Sequence, residues 1–219
     1  MTGVQTCALP IYTDQLAVVA GGANTVVFRP DGRYGYNTDV QGIVDALTEV
    51  GVSVPGPVAI IGAGATACSA LAAAGELGAP GADVYLRDPA RAAAVLATAD
   101  RLALKVRLRP LEELGQGDAV APDLLISTVP AGAADFYAER TVVSPAPPVA
   151  VMDVVYHPWP TPLAAAAARA GSIVASGFAL LLHQAAAQVE LMTGKPAPLE
   201  AMRAAGEAEL AARASGSMA

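Results

Sequence analysis

At 219 residues with a formal net charge of −7, the chain has room for one sizeable domain or two small ones, and it lacks the concentrated basic surface that a nucleic-acid partner requires. Hydrophobic residues make up 54% and mean hydropathy is +0.46, but much of that is alanine. One long stretch free of Asp, Glu, Lys and Arg, from Ala170 to Val189, holds Ser172, Ser176, His183, Gln184 and Gln188 and is too polar for a membrane span.

The opening MTGVQTCALPIY has neither helical nor strand periodicity and runs straight into a segment that reads as mid-domain, so it reads as foreign to the rest of the chain. It carries no basic-then-apolar leader, and a cytoplasmic setting is expected. Cys7 and Cys68 form no disulfide framework, and with only His157 and His183 as histidines no metal site is expected. LAVVAGGANTVVFRPDGRYGYNTD then reads as strand, turn, strand, turn, its two short β-rich runs broken by Gly, by Pro-Asp-Gly and by Asn-Thr-Asp. A helix over about 40–50 comes next, with Ile43, Val44 and Leu47 on one face.

The junction, GRYGYNTDVQG at 32–42, allows two readings. Asn and Asp are good turn and N-cap residues, so it can be a capped helix start. Alternatively Asp39 is a carboxylate at the mouth of a cleft, with Asn and Thr beside it to order its hydrogen bonds.

GVSVPGP at 51–57 is a Gly/Pro linker and a candidate domain boundary. Val58 to Ile61 is short, apolar and β-branched, as a strand buried on both faces of a parallel sheet should be. Gly62, Gly64 and Ala67 come after it at G-x-G-x-x-A spacing, and an Ala-rich helix runs to about Leu77. A strand entering such a loop and leaving as a helix brings N–H groups and the positive helix end against a pyrophosphate. Gly62 permits the tight turn, Gly64 the approach of the phosphates, and Ala67 the packing of helix on strand.

The next strand, DVYL at 83–86, ends in YLRDPAR. Arg87 at its tip and Arg91 one helical turn on can clamp the 2′-phosphate of NADP, with Asp88 between them to repel it or to cap the helix that begins at Pro89. NADP is therefore the expected cofactor, with NAD possible. That helix runs to about Ala103; KVRL, DLLIS, VAVMD and SIVA supply further strands, and helices over TPLAAAAARAG, 178–193 and 199–215 close the chain. The alternation implies βαβ units around a parallel sheet, an α/β fold without internal repeats.

GGANTVV, GYNTDVQGIVDAL, IIGAGATACSAL, LRDPAR, DLLISTVPAG, MDVVYHPWPTPLAAAAARAG and GFALLLHQAAAQVELMTG occur in the order and spacing of the shikimate dehydrogenase family, which the chain resembles from about Leu16 to Gly194. The resemblance implies reduction of 3-dehydroshikimate with NADPH, on the route to aromatic amino acids. It also implies two domains facing each other across a cleft: a substrate-binding remnant at 1–50, a doubly wound, Rossmann-like NADP-binding domain at 51–176, and C-terminal helices at 177–219 returning to the first. Asp39 then matches the catalytic aspartate, and Asn24, Tyr156 and Gln184 match substrate-binding residues. Gly62, Ala63, Gly64, Ala65, Arg87, Arg91, Val129, Val154 and Gly177 fall at cofactor positions. A small-molecule substrate and a monomer or homodimer are implied, with neither nucleic acid nor membrane as partner.

The departures from the family pattern are specific. Its Ser-x-Ser pair and its N-V-T-x-P-x-K stretch, whose lysine shares proton transfer with the aspartate, have no counterpart before Leu16. The only lysines are Lys105 and Lys195. The usual Asn and Thr after the fourth strand are Ser127 and Val129, and the usual Met of the last cleft helix is Leu180. The chain thus reads as an N-terminally truncated, impaired shikimate dehydrogenase. The competing readings are a quinate/shikimate dehydrogenase and a dinucleotide-binding module without catalysis. Methylenetetrahydrofolate dehydrogenase shares the architecture but does not account for Tyr156 and Gln184.

Overall fold

The computed structural model describes residues 12–53, 56–115, 122–135, 138, 140 and 147–216. The sequence expectations for the opening 1–11, including Cys7, and for part of the 51–57 linker lie outside these residues. Among the described residues there are two sheets. The smaller has the order β1-β3-β2, from β1 (Tyr12–Thr13), β2 (Thr25–Arg29) and β3 (Gly32–Tyr36). In it β2 and β3 form an antiparallel hairpin and β1 lies parallel to β3.

The larger sheet comprises β4 (Val58–Ile61), β5 (Gly81–Leu86), β6 (Lys105–Pro110), β7 (Leu124–Ser127), β8 (Ala150–Asp153) and β9 (Ile173–Ser176). Its order is β6-β5-β4-β7-β8-β9, and every pairing is parallel. The chain winds outward from β4 to β6, then returns to β7 on the other side of β4. The carboxyl ends of β4 and β7 therefore bound the crevice where such sheets bind ligands.

Strand alternation divides this core in two. Val58, Ile60, Val84, Ile126 and Met152 point to one face, where α2 (Thr38–Glu49), α3 (Ala65–Glu76) and α4 (Ala93–Leu102) cover them. Ala59, Ile61, Leu125 and Val151 point to the other and meet Leu163, Ala166 and Ala167 of α5 (Pro162–Arg169). All four residues of β4 are buried, which is why its sequence is apolar without alternation. The doubly wound α/β expectation is met.

The smaller sheet joins this core through helices. α2 packs along α6 (Gly177–Thr193) and against α3, and Ile43, Ala46 and Leu47 of α2 sit in the same apolar cluster as Leu71 of α3 and Leu180 of α6. Small residues permit the approach: a side chain at Gly42 would stand 3.0 Å from Gln184 and Leu180. At the far end of α2, Glu49 takes His183 Nε2 at 2.6 Å and Arg203 at 2.9 Å, tying α2 and α6 to α7 (Leu199–Gly216). The hydrogen bond from His183, helped by Arg203, holds the Glu49 carboxyl below the usual range.

Two local expectations are corrected. Leu16 to Ala20 is not a strand but α1 (Gln15–Ala20). The β-branched run is overruled by its ends, where Asp14 accepts from Ala17 N at 2.7 Å and Gly21, at φ 77°, closes the helix in the left-handed region. The helix expected to run from Pro89 begins as a 3-10 turn over Pro89–Ala92 before α4.

Candidate active site

The cap of α2 is Asn37, not Asp39. The Asn37 Oδ1 accepts from Asp39 N at 3.1 Å and Val40 N at 3.2 Å. Its Nδ2 donates to Gly22 O at 2.9 Å and reaches Ser69 Oγ of α3 at 3.3 Å. With capping done by Asn37, the side chain of Asp39 in the first helical turn is not used as a cap. The capped-helix reading holds on Asn37; Asp39 lines a cleft, but the side-chain hydrogen bond to its carboxyl comes from Asn24 and not from the Asn and Thr beside it.

The Asp39 carboxyl is half-buried, and desolvation pushes it above the usual range while a hydrogen bond from Asn24 Nδ2, at 2.8 Å, pulls it back. Asn24 lies at the start of the hairpin, its backbone N–H on Tyr36 O at 3.0 Å. Its Oδ1 accepts from Thr38 N at 3.0 Å and from Thr25 Oγ1 at 2.9 Å. Gln184 enters from α6, where its Oε1 meets Thr38 Oγ1 at 3.4 Å and accepts from Gln188 Nε2 at 3.0 Å. Asn24, Asp39 and Gln184 thus belong to one polar network. Thr25, Thr38 and Gln188 complete it, and sequence reasoning did not single them out as site residues. For Gln188 the available signal was its place one turn after Gln184 on a cleft helix.

Tyr156 stands apart. It is 41% exposed in the segment after β8, and it lines neither of the two clefts that flank the glycine loop.

The first cleft, of about 400 Å³, has Asn24, Asn37 and Asp39 on one wall and Ala63, Gly64, Ala65 and Ser69 on the other, with Arg101 of α4 at its edge. Arg101 Nε donates to Val19 O at 2.8 Å, and Thr98 Oγ1 donates to Ala20 O at 3.3 Å, so α4 clasps the end of α1 below the 21–24 loop. The second cleft, of about 540 Å³, is lined by Gly62, Ala63, Gly64, Tyr85, Arg87, Asp88, Arg91, Thr128 and Val129. The two share Ala63 and Gly64, so the glycine loop is the ridge between them.

The loop fits a dinucleotide. Gly62 has φ +111° and a side chain there would strike Thr128 Oγ1, whereas a Cβ at Gly64 would meet open space. Gly64 caps α3 without a side chain, leaving the first-turn N–H groups available to a pyrophosphate. Arg87 and Arg91 line the same cleft as the loop, as 2′-phosphate contacts would have to. Asp88 Oδ1 accepts from Ala90 N at 3.0 Å with Pro89 at the first helical position, so the acid between the arginines is engaged in capping. Gly177 lies so close to the carbonyl of Val154 that any side chain would collide with it, which places these two cofactor candidates side by side at the start of α6.

At the end of β8, Asp153 is buried and pushed upward by desolvation, against hydrogen bonds from Thr161 Oγ1 at 2.8 Å and Val155 N at 3.2 Å. Among the described residues no group of three or more His, Cys, Asp and Glu could hold a metal ion, and no helix is long and apolar enough to cross a membrane.

Comparison with known proteins adds independent findings. The sequence profile of the Shikimate 5'-dehydrogenase C-terminal domain matches residues 177–205, which begin at α6. The shikimate dehydrogenase (NADP(+)) of Halobacterium salinarum is 36% identical over 216 residues, covering 94% of this chain and 76% of that protein. The crystal structure of Mycobacterium tuberculosis shikimate dehydrogenase superposes with a TM-score of 0.79 at 38% identity, covering 90% of this chain and 72% of that one. The Thermus thermophilus shikimate 5-dehydrogenase solved in complex with NADP(H) and shikimate gives a TM-score of 0.70 at 29% identity, covering 90% and 72%.

The Asp39–Asn24 pair yields a prediction with a definite sign. The Asn24 N–H stabilises the charged carboxylate, so Asn24→Leu should move the Asp39 pKa further up. The carboxyl ¹³C shift of Asp39 followed against pH reads this directly, and an unchanged or lower midpoint contradicts it.

Proposed function

This chain belongs to the shikimate dehydrogenase family, and we propose that it carries the family's reaction, reversible NADP-dependent interconversion of shikimate and 3-dehydroshikimate. One observation carries the reading: Asp39 and Asn24 share a cleft with the glycine loop, whose other side opens to Arg87 and Arg91. On this reading residues 51–176 hold the cofactor, and residues 1–50 with 177–219 hold the substrate. A small-molecule substrate, a cytoplasmic setting and a monomer or homodimer belong to the same proposal.

NADP, when bound, gives or takes the hydride at its nicotinamide. The chain's own residues do the rest. Gly62 to Ala65 cradle the pyrophosphate with backbone N–H groups, and Arg87 and Arg91 meet the 2′-phosphate. Val129 flanks the same cleft, and Val154 and Gly177 form the wall at the nicotinamide end. Asn24 and Gln184 orient the substrate's polar groups; Tyr156, which lines neither cleft, is assigned to the substrate by the family resemblance alone.

Carbonyl reduction leaves an alkoxide that must receive a proton, and oxidation requires that proton to be taken up. Asp39 is the group placed to move it. Its burial raises the carboxyl in the direction proton delivery needs, although Asn24 limits the rise. Neither Lys105, at the start of β6, nor Lys195, after α6, lines the cleft.

Two measurements test the assignment. Single-turnover oxidation of shikimate, read from NADPH absorbance, should fall about 10²–10⁴-fold in Asp39→Asn with NADP affinity unchanged. Equal, measurable rates would refute the role of Asp39, whereas NADP binding with no oxidation by either chain would favour a dinucleotide-binding module without catalysis. Arg87→Ala should cut the preference for NADPH over NADH by about tenfold or more, because a charge-assisted contact contributes roughly 1.5–3 kcal/mol; an unchanged ratio would place the 2′-phosphate elsewhere.

A further inference from the structure

Gln188 takes no part in the proposed chemistry, yet it is the hub between two of the residues that do. Its Nε2 carries two protons and has two acceptors at 3.0 Å: Thr25 Oγ1 on the hairpin and Gln184 Oε1 on its own helix. The consequences come from counting protons and lone pairs.

Thr25 Oγ1, accepting from Gln188, passes its single proton to Asn24 Oδ1 at 2.9 Å. That oxygen also accepts from Thr38 N at 3.0 Å, which fills its two lone pairs. The Thr38 hydroxyl lies 3.2 Å from Asn24 Oδ1 and 3.4 Å from Gln184 Oε1 and has one proton to give. With Asn24 Oδ1 filled, that proton goes to Gln184 Oε1. Gln184 Oε1 then holds two donors, one from α2 and one from Gln188, and its amide has only one orientation left. One Nε2 proton rests on Leu181 O at 3.2 Å, and the other remains for a ligand. Asn24 is fixed in the same sense, with Oδ1 filled and Nδ2 turned to Asp39 at 2.8 Å.

We infer that Gln188 is a positioning residue: by donating to both Gln184 Oε1 and Thr25 Oγ1 it fixes the Gln184 and Asn24 amides as hydrogen-bond donors toward the substrate. The geometry around it allows this role. A side chain at Gly42 would stand 3.0 Å from Gln184, so α6 runs close enough to α2 for the hub to span hairpin and helix. The inference rests on the proposed function only in taking Gln184 and Asn24 as substrate contacts. The orientation of the two amides is a property of the ligand-free chain.

The test exchanges the donor for an acceptor of the same size. In Gln188→Glu two oxygens would face each other across the hub, and the Gln184 amide should flip to present its NH₂ to position 188. Side-chain amide NMR of the ligand-free full chain should then show cross-peaks between the Gln184 NH₂ protons and the methylene protons at 188, absent in the unmodified chain. Gln188→Met, which removes the donor without adding an acceptor, should let the Gln184 amide sample both orientations and shift its resonances to an average. By calorimetry, shikimate should bind about tenfold or more weakly to Gln188→Glu and less than tenfold more weakly to Gln188→Met, with NADP affinity unchanged in both. A purely structural role predicts the opposite rank, since Glu is the closer fit to Gln.

Identical Gln184 NH₂ spectra in the unmodified, Met and Glu chains overturn the inference, as does full shikimate affinity in Gln188→Glu. If Gln188→Glu fails to fold, the Met variant decides by the same spectrum. If the unmodified chain binds NADP but no shikimate, the proposed function fails, while the spectra still decide the orientation.

Discussion

A single amide, that of Asn37, sets the arrangement on which the candidate site depends. It is buried to 6% exposure and satisfied on every side: two N–H groups of α2 donate to its oxygen, and its nitrogen reaches Gly22 O and Ser69 Oγ. It therefore joins three pieces of chain at one point: the start of α2, the loop after α1, and the helix that leaves the glycine loop. An N-cap of this kind contributes on the order of 1 kcal/mol to its helix. The larger cost of losing it would be buried N–H groups of α2 and a carbonyl left without partners. Because Asn37 caps α2 from inside the junction, Asp39 need not cap it and can face the cleft. Because the same side chain reaches α3, the distance from Asp39 to the glycine loop is set by a hydrogen bond and not by loop conformation.

The network beyond Asn37 obeys one rule, that oxygens of the two amides face inward and nitrogens outward. Hydroxyls of Thr25 and Thr38, a backbone N–H and the Gln188 amide together fill the carbonyl oxygens of Asn24 and Gln184. Donors are thereby turned toward the place where a substrate's oxygens would lie. Asp39 is the acceptor among them, and its partial burial and its contact with Asn24 act on its proton in opposite directions. Removing side chains from this set does not act additively, since each amide's orientation depends on the others.

Much of this was legible in the sequence. Val58 to Ile61, then G-x-G-x-x-A and an Ala-rich helix, form the strand, loop and helix that were expected, because that pattern encodes a doubly buried strand and a helix with no side-chain cap. Arg87 and Arg91 fall in the loop's cleft because the second strand ends at the same edge of the sheet as the first. Other features were not legible. Leu16 to Ala20 reads as a β run, and only Asp14 and Gly21 at its borders make it a helix. The reach of Asn37 to Gly22 and Ser69, and the roles of Thr25, Thr38 and Gln188, arise from contacts between segments as far as 163 residues apart, which no local pattern records. Asp39, legible as a candidate in its turn and by family resemblance, lines the first cleft, whereas Gln184 and Tyr156, chosen by resemblance alone, line neither cleft, and only Gln184 joins the polar network.

The central claim is that both halves of one reaction meet at the ridge formed by Ala63 and Gly64. A crystal structure of the chain with NADP and shikimate bound together tests it most directly. The account predicts the 2′-phosphate between Arg87 and Arg91, and a shikimate hydroxyl on Asp39 with its carbon about 3–3.5 Å from the nicotinamide. Shikimate bound away from Asp39, or a cofactor whose phosphate avoids both arginines, would contradict it.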